Sequence, residues 1–333
     1  MLYRLLFNLR NLCCAYDGWV WHIIFSIRYY CGIGFKAFMR LLGPVMIIGA
    51  NLLFFNIIYN YMFHLLPKMS GDNVMLYFTH FLFGFFLLSN IEFNYMGCIF
   101  TPPGHPEPCL DPRRYLGLKI NHRQRNLVDH YAFNTTLELE PAVNYRWCKH
   151  CKCIKPPRTH HDSITGRCIL HMDHYCPWMG NCVGKNNYRY FVLFLIYLFV
   201  GCVYILMVSY YVVQLVTIER APNSVALMYL TNAAVLTFTI GLSAGISVLI
   251  LLVFHTFLVL TNQTTLEFYI NWEERREAKE QGYVFKNPFD KGWRKNLIRV
   301  FGDCAWYHYM NMSVRDSVPV SRCDYTGRAT AHW

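Results

Sequence analysis

Charge is scarce in this chain. Only 15% of its 333 residues are Asp, Glu, Lys or Arg, against 54% hydrophobic. That is too little to clothe an ordinary water-soluble domain, and the apolar residues fall in blocks, as they do in membrane proteins. Acidic residues are scarcer than basic ones, 20 against 31, for a formal net charge of +11. No RNA- or DNA-binding signature accompanies this excess, so nucleic acid is not an expected partner. In an apolar chain, positive charge belongs to cytosolic loops that face anionic lipid. A cleavable signal peptide is also missing. The first residues interleave Arg4 and Arg10 with apolar side chains and no cleavage site follows, which reads as an uncleaved cytosolic arm with Cys13 and Cys14 as candidate lipidation sites. Ankyrin repeats, an SH3-like segment and a retention signal are not found. The 14 cysteines lack the spacing of a secreted disulfide framework, which points to metal or thiol chemistry in a reducing compartment.

What the chain does contain is four apolar runs, at residues 42–65, 74–95, 191–213 and 234–260. Each is long enough for about 30 Å of hydrocarbon. The shorter run at residues 19–27 is expected at the interface. Asn51, Asn56 and Asn60 in the first run are expected to bond between helices, and Glu92 and Asn94 to meet headgroups at the exit of the second. Gly241 and Gly245 form a small-xxx-small face suited to close helix packing. The expected fold is an all-α polytopic membrane protein with a small cytosolic cysteine-rich domain between helices 2 and 3. Its parts are an N-terminal arm (1–41), helices 1 and 2 (42–95), a cytosolic loop (96–190) with the cysteine-rich segment at 147–191, helices 3 and 4 (191–260), and a C-terminal tail (261–333).

Charge sets the expected topology. Of 31 Lys and Arg, 29 fall outside the two short turns, which carry only Lys68 and Arg220. The positive-inside rule then places both termini and the cysteine-rich segment in the cytosol. The glycosylation triplets at Asn134 and Asn262 would stay bare there.

The polar segment 147–191 carries the chemistry. Cys148-x-x-Cys151 is a two-thiolate bite for zinc, and His161 and Cys168 complete a Cys3His set. Four such ligands leave no open position, so the ion would be structural. Cys153 and Cys168 are interchangeable by spacing. Asp173-His174-Tyr175-Cys176 sets a thiol beside a base and a carboxylate. That suits a nucleophile whose proton passes to the imidazole. By chemistry alone it equally suits a group of zinc ligands.

Pro177-Trp178, Asn181-Cys182-Val183-Gly184 and Asn187-x-x-x-Phe191 follow. With them, the segment resembles the cysteine-rich domain of the DHHC palmitoyltransferases, in a DHYC form. Pro156-Pro157-Arg158-x-x-His161, the Thr101-Pro102-Pro103-Gly104 run, Thr264-Thr265-Leu266-Glu267 and Asn287-Pro288-Phe289-x-x-Gly292 match further family motifs, so the likeness covers roughly residues 40–302. The resemblance implies a protein S-acyltransferase. Cys176 would take a long-chain acyl group from acyl-CoA and pass it to membrane-proximal cysteines of protein substrates. His174 would be the base and Asp173 its orienting partner. Thr265 would support Asp173, and Trp178 would stand at the membrane mouth of an acyl tunnel. Arg158, Arg167, Lys185 and Arg189 would face the phosphates of coenzyme A. Endoplasmic reticulum or Golgi membrane is the location most common for the family.

The sequence departs from the family at a second zinc set, where it has Asp162, Thr165, Tyr175 and Cys182. Neutral hydroxyls are poor zinc ligands. One zinc is therefore expected, with His160 or His171 as conceivable substitute ligands. The lobe carrying Cys176 must then be held by packing, to which Tyr175 adds aromatic burial. The competing function is a catalytically weak zinc-domain scaffold or regulator of other acyltransferases. Retention of Asp173, His174, Cys176, Thr265 and Glu267 favours the enzyme.

Overall fold

The computed structural model describes residues 18–106, 137–138, 144–219 and 225–302. Cys13, Cys14 and Asn134 lie outside them. Helix α1 (Gly18–Asn60) runs through a π-helical turn (Tyr61–Leu65) into a short α2 (Leu66–Ser70). Gly71, at φ +52°, ends it. Helix α3 (Val74–Phe100) begins at Asn73, whose side chain accepts from the Leu76 amide at 3.0 Å. This N-cap satisfies a donor that the helix itself leaves open. Helices α4 (Tyr188–Glu219) and α5 (Val225–Leu260) follow the cysteine-rich segment.

Four stretches, Gly32–Ser70, Val74–Phe100, Tyr188–Ile218 and Leu227–Leu260, are long and apolar enough to cross a bilayer. Large side chains such as Phe55, Phe85 and Ile250 point outward, as lipid-facing residues do. The most enclosed helix is α4, packed between α3 and α5. Glycine makes this possible. A Cβ on Gly241 would lie 2.9 Å from Ile205, one on Gly245 would lie 3.3 Å from Cys202, and one on Gly97 would lie 2.6 Å from the Tyr190 ring. Small residues let backbones close in where lipid tails remove the usual apolar driving force.

Two expectations about polar residues fail here. Asn51 donates to Ile47 O and Asn60 to Asn56 Oδ1, both within α1. Asn94 is buried and donates to Asn90 O. An amide side chain in a helix reaches its own preceding turn more easily than a neighbour. The polar link between helices comes instead from longer side chains. The Tyr61 and Tyr204 hydroxyls are 2.8 Å apart, and His80 Nδ1 is 2.8 Å from Tyr204.

The cysteine-rich segment is built of short antiparallel strands. β1 (Leu137–Glu138), β2 (Asn144–Cys148) and β3 (Cys153–Lys155) form one sheet, β4 (His160–Asp162) pairs with β5 (Arg167–Ile169), and β6 (His174–Cys176) pairs with β7 (Asn181–Val183) across a 3₁₀ turn (Pro177–Met179). Strands this short cannot build a core, so the segment needs staples. The Thr101–Gly104 run supplies some. Pro103 O accepts from Asn186 N at 3.1 Å, Gly104 O accepts from Leu170 N at 3.0 Å, and Asn181 Nδ2 donates to Cys98 O and Thr101 O. Helices α6 (Thr265–Glu280) and α7 (Trp293–Phe301) close the described chain.

Gly97→Leu should force Tyr190 aside. The expected cost is about 1–3 kcal/mol of stability, typical of overpacking, read as a lowered thermal midpoint of the detergent-solubilised protein.

Candidate functional site

Two groups of reactive side chains involve the cysteine-rich segment. The first is Cys148, Cys151, His161 and Cys168, whose ligand atoms all fall within 4.8 Å of one another. His161 Nδ1 is 3.6 Å from Cys148 Sγ, 3.2 Å from Cys151 Sγ and 4.0 Å from Cys168 Sγ. Ligands at about 2.0–2.3 Å from a tetrahedral zinc stand at separations of this size. The turn after β2 brings Cys148 and Cys151 together, and the β4–β5 pairing sets His161 opposite Cys168. Cys153 is buried 4.0 Å from Cys168 but outside the group, so the hairpin register separates two cysteines that spacing left interchangeable. His160 and His171 are not in it either.

The second group is built on β6. Asp173 is 1% exposed. Its Oδ2 takes a hydrogen bond from His174 Nδ1 at 2.6 Å and another from Thr265 Oγ1 at 2.9 Å, and its Oδ1 takes one from Thr265 N at 2.8 Å. Burial opposes the Asp173 charge, but these donors and the nearby histidines hold its carboxyl below the usual range. Burial likewise works against a charged His174. The bond and charge of Asp173, with a further contribution from Cys176, outweigh it and push its pKa up to about 10. The imidazole so held is a base beside the Cys176 thiol.

His255, from α5, also lies within 4.8 Å of Asp173 and His174. The His174–Asp173 separation of 2.6 Å suits a shared proton. It is too short for two donors spread around a tetrahedral ion, which stand about 3.3 Å apart. The pair has the geometry of an acid–base couple. His255 and its 3.2 Å partner Tyr188 do not figure in the sequence expectations. The available signal was an ionisable side chain within an apolar span.

Thr265 is held in place by its own helix start. Thr264 caps α6 and accepts from Glu267 N, while Glu267 Oε2 accepts from Thr264 N at 2.9 Å, a reciprocal capping box. Glu267 is also gripped by Arg158, whose Nε and Nη2 each donate to a carboxylate oxygen at 2.6 Å, and Arg158 Nη1 donates to Asn262 Oδ1 at 3.0 Å. Arg158 is 9% exposed and lies over the Phe289 ring. It is therefore spent on this network and does not face coenzyme A as expected. Arg167 and Lys185 are exposed and Arg189 is half-buried. The remaining motif is tied in as well: Asn287 Nδ2 donates to Thr261 O at 2.7 Å and Asn262 Nδ2 to Phe289 O at 2.6 Å.

An apolar cavity of about 640 Å³ lies among the spanning helices, with Cys176 in its lining. Cys176, Trp178, Met179, Tyr95, Phe194 and Tyr204 are among the residues that line it. Tyr95 Oη donates to Trp178 O at 2.7 Å and fixes the turn after the cysteine.

These features define a polytopic membrane protein whose cysteine-rich domain sets a thiol, an imidazole and a carboxylate together beside an apolar cavity among its spanning helices. A family model for the DHHC palmitoyltransferases matches residues 142–272. The chain is 33% identical over 218 residues to palmitoyltransferase ZDHHC15 of Xenopus laevis (63% of this chain, 61% of that protein). It is 32% identical over 248 residues to probable protein S-acyltransferase 13 of Arabidopsis thaliana (69% and 71%). To palmitoyltransferase ZDHHC2 of Rattus norvegicus it is 39% identical over 162 residues (47% and 40%). The chain thus spans between 40% and 71% of the length of these relatives. It belongs to the DHHC-type protein S-acyltransferase family.

Arg158→Met should leave Glu267 buried without its partner, at a cost of about 3–5 kcal/mol. A thermal melt reads it, and because Glu267 and Thr265 share one helix turn, any protein that still folds should also lose activity.

Proposed function

We propose that this protein is a palmitoyl-CoA-dependent protein-cysteine S-acyltransferase working through an acyl-Cys176 intermediate. The observation that carries the reading is the position of Cys176, in the lining of an apolar cavity and next to His174, itself held by buried Asp173. His174 takes the Cys176 proton, and the thiolate attacks the acyl-CoA thioester carbonyl. The new thioester forms as the bond to the coenzyme A sulfur breaks, and the departing thiolate takes the proton from His174. A substrate cysteine then loses its proton to His174 and attacks the acyl-enzyme, and Cys176 leaves and is reprotonated. Asp173 stabilises the imidazolium in both steps. Thr265 orients Asp173. Trp178 borders the path by which the acyl chain enters the cavity, where each buried methylene is worth about 0.8 kcal/mol.

The protein substrates are those that present a cysteine at the bilayer surface, where Cys176 lies. One structural zinc on Cys148, Cys151, His161 and Cys168 staples the β-hairpins. It supplies folding free energy and no chemistry. Both termini face the cytosol, in keeping with the lopsided Lys and Arg distribution, and the protein resides in endoplasmic reticulum or Golgi membrane.

Purified protein incubated with labelled palmitoyl-CoA should take up hydroxylamine-labile label, and Cys176→Ala should take up none. A folded wild type that stays unlabelled would leave the scaffold reading. Metal analysis should give one zinc per chain; two would contradict the ligand assignment. The pH profile follows from the Asp173–His174 pair. With its pKa raised to about 10, His174 should give no inflection near the ordinary histidine value. Asp173→Asn removes the partner and leaves burial, which lowers the His174 pKa, so its inflection should move to lower pH. The rate should fall on the order of 10³–10⁴-fold.

A further inference from the structure

Asp162, Thr165, Tyr175 and Cys182 stand where the family would place a second metal, and their chemistry does not suit one. The Cys182 thiol is fully buried and engaged by Asp162 and Thr165. Asp162 Oδ2 already accepts from Thr165 N at 2.6 Å. That leaves one thiol, one committed carboxylate and two neutral hydroxyls, a poor set for zinc.

Tyr175, which packs beside Cys182, sends its hydroxyl to the first spanning helix. It donates to Met39 O at 3.3 Å. The next residue on α1, Arg40, donates from Nε to Ile164 O at 2.6 Å, in the β4–β5 turn. One helical turn on, Gly43 lies against Gly180. A Cβ on Gly43 would stand 2.9 Å from Gly180 Cα and 3.5 Å from the Tyr175 hydroxyl, and a Cβ on Gly180 would meet Ile47 at 3.2 Å. Residues 39, 43 and 47 recur every fourth position, so they share a face of α1. Gly180, at φ +58°, ends the 3₁₀ turn that follows Cys176. The same helix lines the cavity further along, through Ala50, Phe54 and Ile57.

We propose that the first spanning helix replaces a second metal. The Met39–Arg40–Gly43–Ile47 face of α1 clamps the lobe that carries Cys176, with Tyr175 as its positioning residue. A zinc would secure the lobe to itself alone. The clamp secures it to a wall of the cavity, so it sets the sulfur in register with the space where an acyl chain lies. Only that consequence rests on the acyltransferase reading; the clamp itself does not.

The test uses the full chain in lipid nanodiscs. Gly43→Val should pry the helix from the lobe, whereas Gly49→Val, which meets open space on the same helix, is the control. Expected for Gly43→Val are a rise of at least tenfold in maleimide alkylation of Cys182, read by peptide mass, and unchanged zinc content. Self-acylation kcat should fall at least tenfold, with KM changed less than twofold. Arg40→Ala and Tyr175→Phe should each have smaller effects, and their combination should be less than additive because both report on one contact. Gly49→Val should match wild type. If Gly43→Val does not fold, the Arg40→Ala/Tyr175→Phe variant, which adds no atoms, decides by the same alkylation. Cys182 alkylation that stays at the wild-type rate in the folded clamp variants would overturn the proposal, as would a second zinc bound in wild type. Absence of acyl label on wild type would count against the acyltransferase reading alone, and the alkylation result would still decide the clamp.

Discussion

A carboxylate sealed from water must be compensated on all sides, and Asp173 imposes that demand on the cysteine-rich domain and the segment after the fourth span. Its oxygens take two bonds from Thr265 and one from His174. Thr265 can deliver both its amide and its hydroxyl only because it opens a helix, where the first amides have no partner of their own. That helix start is fixed by the Thr264–Glu267 capping box, and Glu267 is fixed by Arg158. A chain of charge-assisted bonds thus runs from the proline-arginine turn of the cysteine-rich domain, through the segment after the fourth span, to the imidazole beside Cys176. Its charged members Arg158, Glu267 and Asp173 are buried, so removing the partner of any of them leaves a charge uncompensated.

The cysteine-rich domain is otherwise too slight to stand alone. Its strands are at most five residues long, and they are fastened by side chains and backbone from elsewhere. The run after α3 bonds to two of its loops, and Asn181 and Asn187 reach back to Cys98 O and Thr101 O. The Cys3His group holds one half of the domain and α1 packs on the other. The domain therefore acts as a cap on the helix bundle, and the position of the Cys176 thiol depends on the bundle as much as on its own hairpin.

Much of this was legible in the sequence. Four spans announce themselves because a bilayer requires long uncharged runs. The Cys3His group follows from a C-x-x-C bite and its downstream partners. Asp173, His174 and Cys176 are neighbours in the chain; His174 and Cys176 share β6 and Asp173 immediately precedes it. What escaped notice depends on contacts distant in sequence. Arg158 reads as a surface cation, yet it is buried 109 positions from Glu267, its partner. His255 sits within an apolar run and looks like a packing residue until α5 carries it to Asp173. The asparagines of the first span bond within their own helix, because a local carbonyl is nearer than a neighbouring one. The role of α1 against the cysteine-rich domain left no motif, since it rests on a glycine-to-glycine approach and two backbone carbonyls.

The central claim is that one cysteine among fourteen is set apart by its position over the cavity and beside His174. Peptide mass mapping of the full chain after a single turnover with palmitoyl-CoA measures this directly. The acyl group should be found as a thioester on Cys176 at near-stoichiometric occupancy, with the other mapped cysteines unmodified. Acylation spread over several cysteines, or confined to another residue while Cys176 stays free, would contradict it.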